Sequence, residues 1–444
     1  MPMQTSSPNT VLLKRSRSAV WHPCTQMKQH ETLPLVPIAR ASGSWLYDCD
    51  GRRYLDAVSS WWVNLFGHGN PRIVDAITQQ LQQLDHVLLA GFTHEPVVEL
   101  SERLSKLAHH KLGHCFYASD GAAAIEIALK MSFHYWRNRG RPSKTRFVSL
   151  TGGYHGETLG VLSVTDVALF KETYATLLRP SAQVPAPDWR EAEAGESARA
   201  FALRCAGALE RHLEANHEHV AAFIVEPLIQ GAAGMAMYDA AYLRQARDIC
   251  TRFDVHLIAD EIMTGFGRSG TFFAHEQAQV VPDFLCLSKG ITGGTLPLSV
   301  VLTTDAVYDA FYDDALTRGF LHSHSYTGNA LACSAALATL GIFESDNVIE
   351  TNRGKAERMN ARLQPLAQHP RVSAFRNTGM VWAFEVVSDN VNVGREIYEA
   401  ALARGLLLRP IGNTVYFMPP YTISEDEQAI LAQGTLDILE SMQA

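Results

Sequence analysis

Short apolar runs that alternate with helix-patterned stretches through the middle of the chain constrain its fold more than any other feature. Ala221 to Ile229 (AAFIVEPLI), Val255 to Ile262 (VHLIADEI) and Phe284 to Leu287 have the length of strands buried on both faces, and Tyr242 to Phe253 between them has helical periodicity. Strand, helix, strand in this rhythm predicts a mostly parallel central sheet, an α/β architecture whose ligands gather beyond the carboxyl ends of the strands. With 444 residues, 47% of them hydrophobic, the chain has material for two or three structural units.

The first twenty or so residues read as a loose lead-in. Pro180 to Ala200 reads as a surface excursion before a helix around Phe201 to Ala215. After about Ala335 the pattern gives a long helix, apolar strands at Val381 to Val387 and Val415 to Met418, and a terminal helix from about Glu425. These predict a smaller α+β unit that Ser44 to Asp56 would complete. The expected organisation is a segment 1–70 contributing to the small domain and the active site, a large domain 71–335, and a small domain 336–444.

The net charge of -8 gives no electrostatic reason to expect a nucleic-acid partner. No run approaches membrane-spanning length, so no membrane partner is expected either. The seven cysteines are dispersed without a C-x-x-C pair, which suits reduced thiols and a cytoplasmic location. No metal is expected: His212, His217 and His219 miss the i, i+4 spacing, and Gly113 separates His110 from His114.

Four signals carry chemistry. Lys289, in Ser288-Lys289-Gly290, follows a buried strand and is flanked by small residues, with Thr292-Gly293-Gly294 just beyond. A lysine placed there has room for a planar cofactor, and partial desolvation lowers the basicity of its amine, as attack on a carbonyl requires; a solvated loop lysine is the ordinary alternative. Asp260 closes an apolar strand and needs a partner, because an unpaired buried carboxylate is costly; a helix cap or ion pair would serve, as would a protonated pyridine nitrogen. Ser119-Asp120-Gly121-Ala122-Ala123-Ala124 opens a helix with small residues, so its backbone N–H groups and dipole suit a phosphate. Tyr154, beside the glycine turn of Tyr154-His155-Gly156-Glu157, has a ring that can lie over a flat heteroaromatic.

Gly265 to Gly270 (GFGRSG) matches the dinucleotide fingerprint literally, but Thr271-Phe272-Phe273 continues it without helical pattern, which argues against a nicotinamide-dependent dehydrogenase.

Together these segments resemble the class III aminotransferases, fold type I enzymes that depend on pyridoxal 5'-phosphate. The likeness spans nearly the whole chain: G-A-A-A-I-E-I-A-L-K (121–130), Y-H-G-E-T (154–158), E-P-L-I-Q-G-A-A-G-M (226–235), A-D-E-I-M-T-G-F-G-R-S-G (259–270) and L-S-K-G-I-T-G-G (287–294), in order. A narrower likeness rests on W-H-P-C-T-Q (21–26), S-S-W-W (59–62), T-G-G-T-L-P-L-S (292–299), H-S-H-S-Y-T-G-N (322–329) and L-R-P-I-G-N-T-V-Y-F-M-P-P-Y (408–421). It points to the branch of the family that aminates 8-amino-7-oxononanoate in biotin biosynthesis with S-adenosyl-L-methionine as donor. Another class III transaminase acting on an ω-amino acid or diamine is the nearest rival.

The resemblance implies a role for each matching residue. Lys289 would carry the cofactor covalently and Asp260 would pair with its ring nitrogen. Gly121 and Ala122 would present N–H groups to the phosphate, while Tyr154 and Ile262 would cover the two ring faces. His324 and Ser325 would reach the phosphate from the other subunit of a homodimer with active sites at its interface. Trp61, Tyr154, Lys289, Ser323, Arg409 and Tyr416 would contact substrate, Arg409 as the clamp for the acceptor carboxylate. Two positions depart from the pattern: Cys24 stands where relatives typically carry tyrosine, and Ala122 where many carry serine.

Overall fold

The structure is a computed structural model that describes residues 7–33 and 35–442. At its centre lies a seven-stranded sheet in the order His114–Ala118, Ser299–Thr303, Phe284–Leu287, His256–Asp260, Val220–Val225, Arg146–Leu150, Ala182–Val184. Only Ser299–Thr303 runs against its neighbours. Every residue of Val220–Val225, His256–Asp260, Phe284–Leu287 and Ser299–Thr303 is buried, which explains why these strands read as continuous apolar runs rather than alternating ones.

The register aligns the functional ends. Ala259 pairs with Val225 and Asp260 with Cys286, so Glu226, Asp260 and the turn carrying Lys289 leave the sheet side by side. The helix Gly121–Asn138 starts at the same edge, where the Asp120 side chain accepts from the Ala123 N–H at 2.9 Å and caps it.

Three smaller sheets accompany this core, one of them only the two-stranded pair Ile229–Gln230 and Ala236–Met237. Val372–Thr378, Val381–Val386 and Thr414–Phe417 form an antiparallel sheet, and Ile38–Ser42, Trp45–Asp48 and Arg53–Asp56 form another whose last strand pairs in parallel with Leu406–Leu407. The terminal helix Glu425–Ser441 opens with a Ser424/Glu427 capping box. Glu427 also accepts from Trp45 Nε1 at 2.6 Å, joining the two ends of the chain.

The start of the chain differs from the expected loose lead-in. Pro8–Ala19 is a helix, capped by Ser7 with Pro8 in its first turn, and none of its residues is buried. It has a start signal but no apolar stripe, so periodicity does not reveal it. No helix begins within 265–270. There the fully buried Arg268 donates to the carbonyls of Pro419 (2.7 Å) and Asn64 (2.8 Å). The seven cysteines are all unpaired, and among the described residues no helix is long and apolar enough to cross a membrane.

Candidate active site

A cavity of about 380 Å³ opens at the carboxyl edge of the central sheet and is lined by Lys289, Asp260, Tyr154, Ile262, Gly121, Ala122 and Trp61. These seven, far apart in sequence, are all residues that the sequence singles out. A larger cavity of about 660 Å³ lies on the outer face of the helix 121–138, against 177–181, and contains none of them.

Lys289 sits in a left-handed backbone conformation (φ 45°), with its ammonium 4.7 Å from the centroid of the Trp62 ring. Burial lowers the basicity of its amine, against the pull of the Asp260 and Glu226 carboxylates. Asp260 is held from two sides: its Oδ2 lies 2.7 Å from His155 Nδ1, and its Oδ1 accepts from the Ile262 N–H at 3.1 Å. The carboxylate is thereby fixed at the strand end, facing the cavity that Lys289 also lines.

The walls are built with little tolerance. A Cβ on Gly121 would stand 2.9 Å from Ile262 Cδ1, and one on Gly156, whose φ is +132°, would stand 2.6 Å from the Ala122 Cβ. The first turn of the helix can therefore approach the cavity closely, with its N–H groups lacking intrahelical acceptors. Tyr154 donates from its hydroxyl to Glu157 at 2.9 Å, and burial, reinforced by that bond, raises its pKa. Its hydroxyl is therefore held in the protonated form, and the residue lines the cavity.

The opposite wall is strained. Ser59, Ser60, Trp61 and Trp62 are four successive non-glycine residues with φ of 50, 46, 74 and 73°. Buried Asp56 holds the turn: it accepts from the Ser60 N–H (2.9 Å) and hydroxyl (2.7 Å), and its Oδ2 lies 3.0 Å from His68 Nε2. Ser59 donates to the Met418 carbonyl at 2.7 Å, and Trp62 Nε1 to the Tyr416 hydroxyl at 3.0 Å. Such strain persists only where surrounding bonds over-determine it.

The remaining expected residues lie further out. Arg409 stacks on Trp61, 4.1 Å from its centroid, and forms no ion pair with a carboxylate among the described residues. Tyr416 is buried one layer behind Trp62, its hydroxyl pushed up to about 12 by burial. Ser323, His324 and Ser325 do not line this cavity; they belong to a surface segment where the His322 and His324 ring nitrogens lie 3.1 Å apart and His86 Nε2 is 2.8 Å from the Ser325 carbonyl.

Sequence reasoning assigned no role to His155, Glu226, Trp62, Met263 or Thr264, all of which line the cavity. His155 and Glu226 lie inside the quoted motifs, which were the available signal, but only the aligned strand ends bring them beside Asp260. Cys24 also lines the cavity, close to Tyr154. Chemically, the arrangement offers a buried amine of lowered basicity, a fixed carboxylate, a helix N-terminus for an anion and aromatic walls.

Comparison with known proteins agrees with this chemistry. Residues 26–439 match the aminotransferase class-III family. The adenosylmethionine-8-amino-7-oxononanoate aminotransferase of Helicobacter pylori is 47% identical over 431 residues, covering 95% of this chain and 96% of the relative. The crystal structure of the enzyme of that name from Methanocaldococcus jannaschii superposes with a TM-score of 0.92 at 36% identity, covering 98% of this chain and 99% of the other. An amine transaminase from an uncultivated Pseudomonas species, solved in its PLP-bound form, gives a TM-score of 0.90 at 32% identity over 95% of this chain and 98% of its own.

Proposed function

Because the chain belongs to the class-III aminotransferases, we propose that it uses pyridoxal 5'-phosphate to convert 8-amino-7-oxononanoate to 7,8-diaminononanoate with S-adenosyl-L-methionine as amino donor, a step of biotin biosynthesis. The observation that carries this reading is the meeting of Lys289 and Asp260 in one cavity, in a chain aligned end to end with relatives bearing that enzyme's name.

The residues fit the cofactor. The cavity has a glycine-lined helix start for a phosphate, Tyr154 and Ile262 for the two faces of a ring, and the unpartnered hydroxyl of Thr264 on its wall. When bound, pyridoxal phosphate supplies a carbonyl for covalent attachment and an electron-withdrawing ring. Asp260 keeps the ring nitrogen protonated, and His155 with the Ile262 N–H holds Asp260 in place for that task. Desolvation favours the neutral form of the Lys289 amine, which would carry the coenzyme and, once released, move a proton between the reacting carbons. Gly121 and Ala122 bind the phosphate through backbone N–H groups. Arg409, held over the Trp61 ring and without a carboxylate partner among the described residues, clamps the acceptor carboxylate in bidentate fashion. Tyr416 acts through Trp62, whose indole it orients.

We further infer a cytoplasmic homodimer in which His324 and Ser325 complete the neighbour's phosphate site and Ser323 its substrate site. Two features support this: the segment stands away from its own cavity, and it exposes Leu321 (73%) and Tyr326 (64%) at the surface. We also propose the division into 1–70, 71–335 and 336–444; the separation of the central sheet from the sheets built on 38–56 and on 372–417 supports it.

The likeness to an amine transaminase supports a second reading, in which the same cofactor site serves an ω-amino acid or diamine. A half-reaction assay separates the two. S-adenosyl-L-methionine is expected to shift the absorbance of the bound coenzyme to that of its amine form, and 8-amino-7-oxononanoate to shift it back. Response to pyruvate or 2-oxoglutarate but not to 8-amino-7-oxononanoate would establish the second reading instead.

A further inference from the structure

Glu226 is a buried carboxyl group for which the mechanism above has no use. It follows the strand Val220–Val225 directly and lines the catalytic cavity beside Asp260. Its Oε1 accepts from the Tyr154 N–H at 3.0 Å and its Oε2 from the Gly231 N–H at 2.9 Å. Those donors belong to different walls. Tyr154 is the ring-covering residue, and Gly231 lies under Trp62, where a Cβ would stand 3.0 Å from the indole. One carboxylate thus ties both aromatic walls to the sheet, while no Lys, Arg or His forms an ion pair with it among the described residues.

We propose that Glu226 is a positioning residue for proton transfer: it pins the Tyr154 and Gly231 turns and supplies the anion that the released Lys289 ammonium faces. The second half of this proposal rests on the pyridoxal-phosphate reading. Asp260 and Glu226 are the two carboxylates acting on Lys289, and a protonated ring nitrogen engages the charge of Asp260. Glu226 is then the anion left to balance the lysine. The groups facing it are Asp260 from the adjacent strand, Tyr154 and His155 from the loop after Arg146–Leu150, Tyr238, which donates to its backbone carbonyl at 2.6 Å, and Lys289. Burial pushes its carboxyl up to about 7, against the pull of His155 and with the push of Asp260. A carboxyl poised near neutrality loses its proton to solvent at the mouth of the cavity as Lys289 takes one from substrate, and regains one from solvent as Lys289 gives its own away, so the buried charge stays nearly constant through the transfer.

The test is a pH titration of the absorbance of the bound coenzyme in wild type, Glu226→Gln and Glu226→Asp. Loss of the anion in Glu226→Gln is expected to lower the midpoint by about one unit and slow the donor half-reaction about tenfold, with little change in donor KM. Glu226→Asp, which keeps the charge but spans the two turns poorly, is expected to restore the midpoint. A coloured Gln variant with the wild-type midpoint would overturn the proposal, as would an Asp variant that titrates like Gln. Should Glu226→Gln fail to fold, infrared difference spectra of the wild-type enzyme across the donor half-reaction decide. A change in the protonated-carboxyl region is expected, and a flat one refutes the charge-balancing role. A wild-type protein that never binds the coloured coenzyme would instead defeat the cofactor reading itself.

Discussion

Asp56→Ala tests whether the tryptophan wall is a strained turn held in place by one side chain. Left-handed backbone costs roughly 1–2 kcal/mol per non-glycine residue, so the four residues 59–62 store on the order of 4–8 kcal/mol. Asp56 opposes that with three hydrogen bonds to a buried carboxylate, each worth about 1.5–3 kcal/mol. The two quantities nearly match. Alanine removes all three bonds, and the turn then relaxes and recovers much of the stored strain. The expected loss of global stability is therefore only about 2–4 kcal/mol, well below the sum of the bonds. The local effect is larger: Trp61 and Trp62 leave their places, Trp62 loses its bond to Tyr416, and Arg409 loses the ring it stacks on. Urea unfolding measures the first effect, and near-ultraviolet circular dichroism of the tryptophans with acceptor KM measures the second. A variant with a wild-type tryptophan spectrum and wild-type KM would refute the argument even if its stability fell.

Asp260→Asn keeps a group of the same shape beside His155 but removes the charge that holds a proton on the ring nitrogen; a half-reaction slowed at least a hundredfold with coenzyme still bound is expected by stopped-flow absorbance. Arg409→Ala is expected to raise acceptor KM tenfold or more and to leave the donor half-reaction nearly untouched, which steady-state kinetics with each substrate varied will read. His256, packed on Trp136 and hydrogen-bonded to Ser132 at 2.9 Å, is pushed by burial from 6.5 down to about 4. The unfolded chain takes up this proton below pH 6.5 and the folded chain only near 4, so the stability contribution is complete above 6.5 and falls by about 3 kcal/mol as pH drops from 6.5 to 4. Urea midpoints across that range should show a shallower slope in His256→Gln, and equal slopes would exclude the histidine as the cause.

The legible parts of fold and site share one property: each is a consequence of local pattern. Strands buried on both faces leave continuous apolar runs, so Val220–Val225, His256–Asp260 and Phe284–Leu287 stand out, and the polar residues ending them, Asp260 and Lys289, stand out with them. Gly121 is visible for the same reason, because small residues opening a helix form a recognisable signature. What stays hidden depends on where side chains meet. Ser59 to Trp62 contain no glycine to announce a left-handed turn, and Asp56 holds them through contacts that no spacing rule anticipates. Glu226 and His155 sit in plain motifs, yet their bearing on Lys289 and Asp260 exists only once three strand ends are aligned. Arg268 lies in a stretch that imitates a nucleotide fingerprint, and only its acceptors, the Pro419 and Asn64 carbonyls, reveal that it is a structural tie.

That tie orders events during synthesis. The tryptophan wall is anchored by residues made well after the strands of the central sheet: Arg53–Asp56 pairs with Leu406–Leu407, Ser59 needs the Met418 carbonyl, and Arg268 binds Asn64 and Pro419 together. A nascent chain can assemble the central sheet, with Lys289 and Asp260 in register, while its final quarter is still unmade. The wall can close over that floor only once residues 406–421 have been made, so the two halves of the cavity form at different stages of folding.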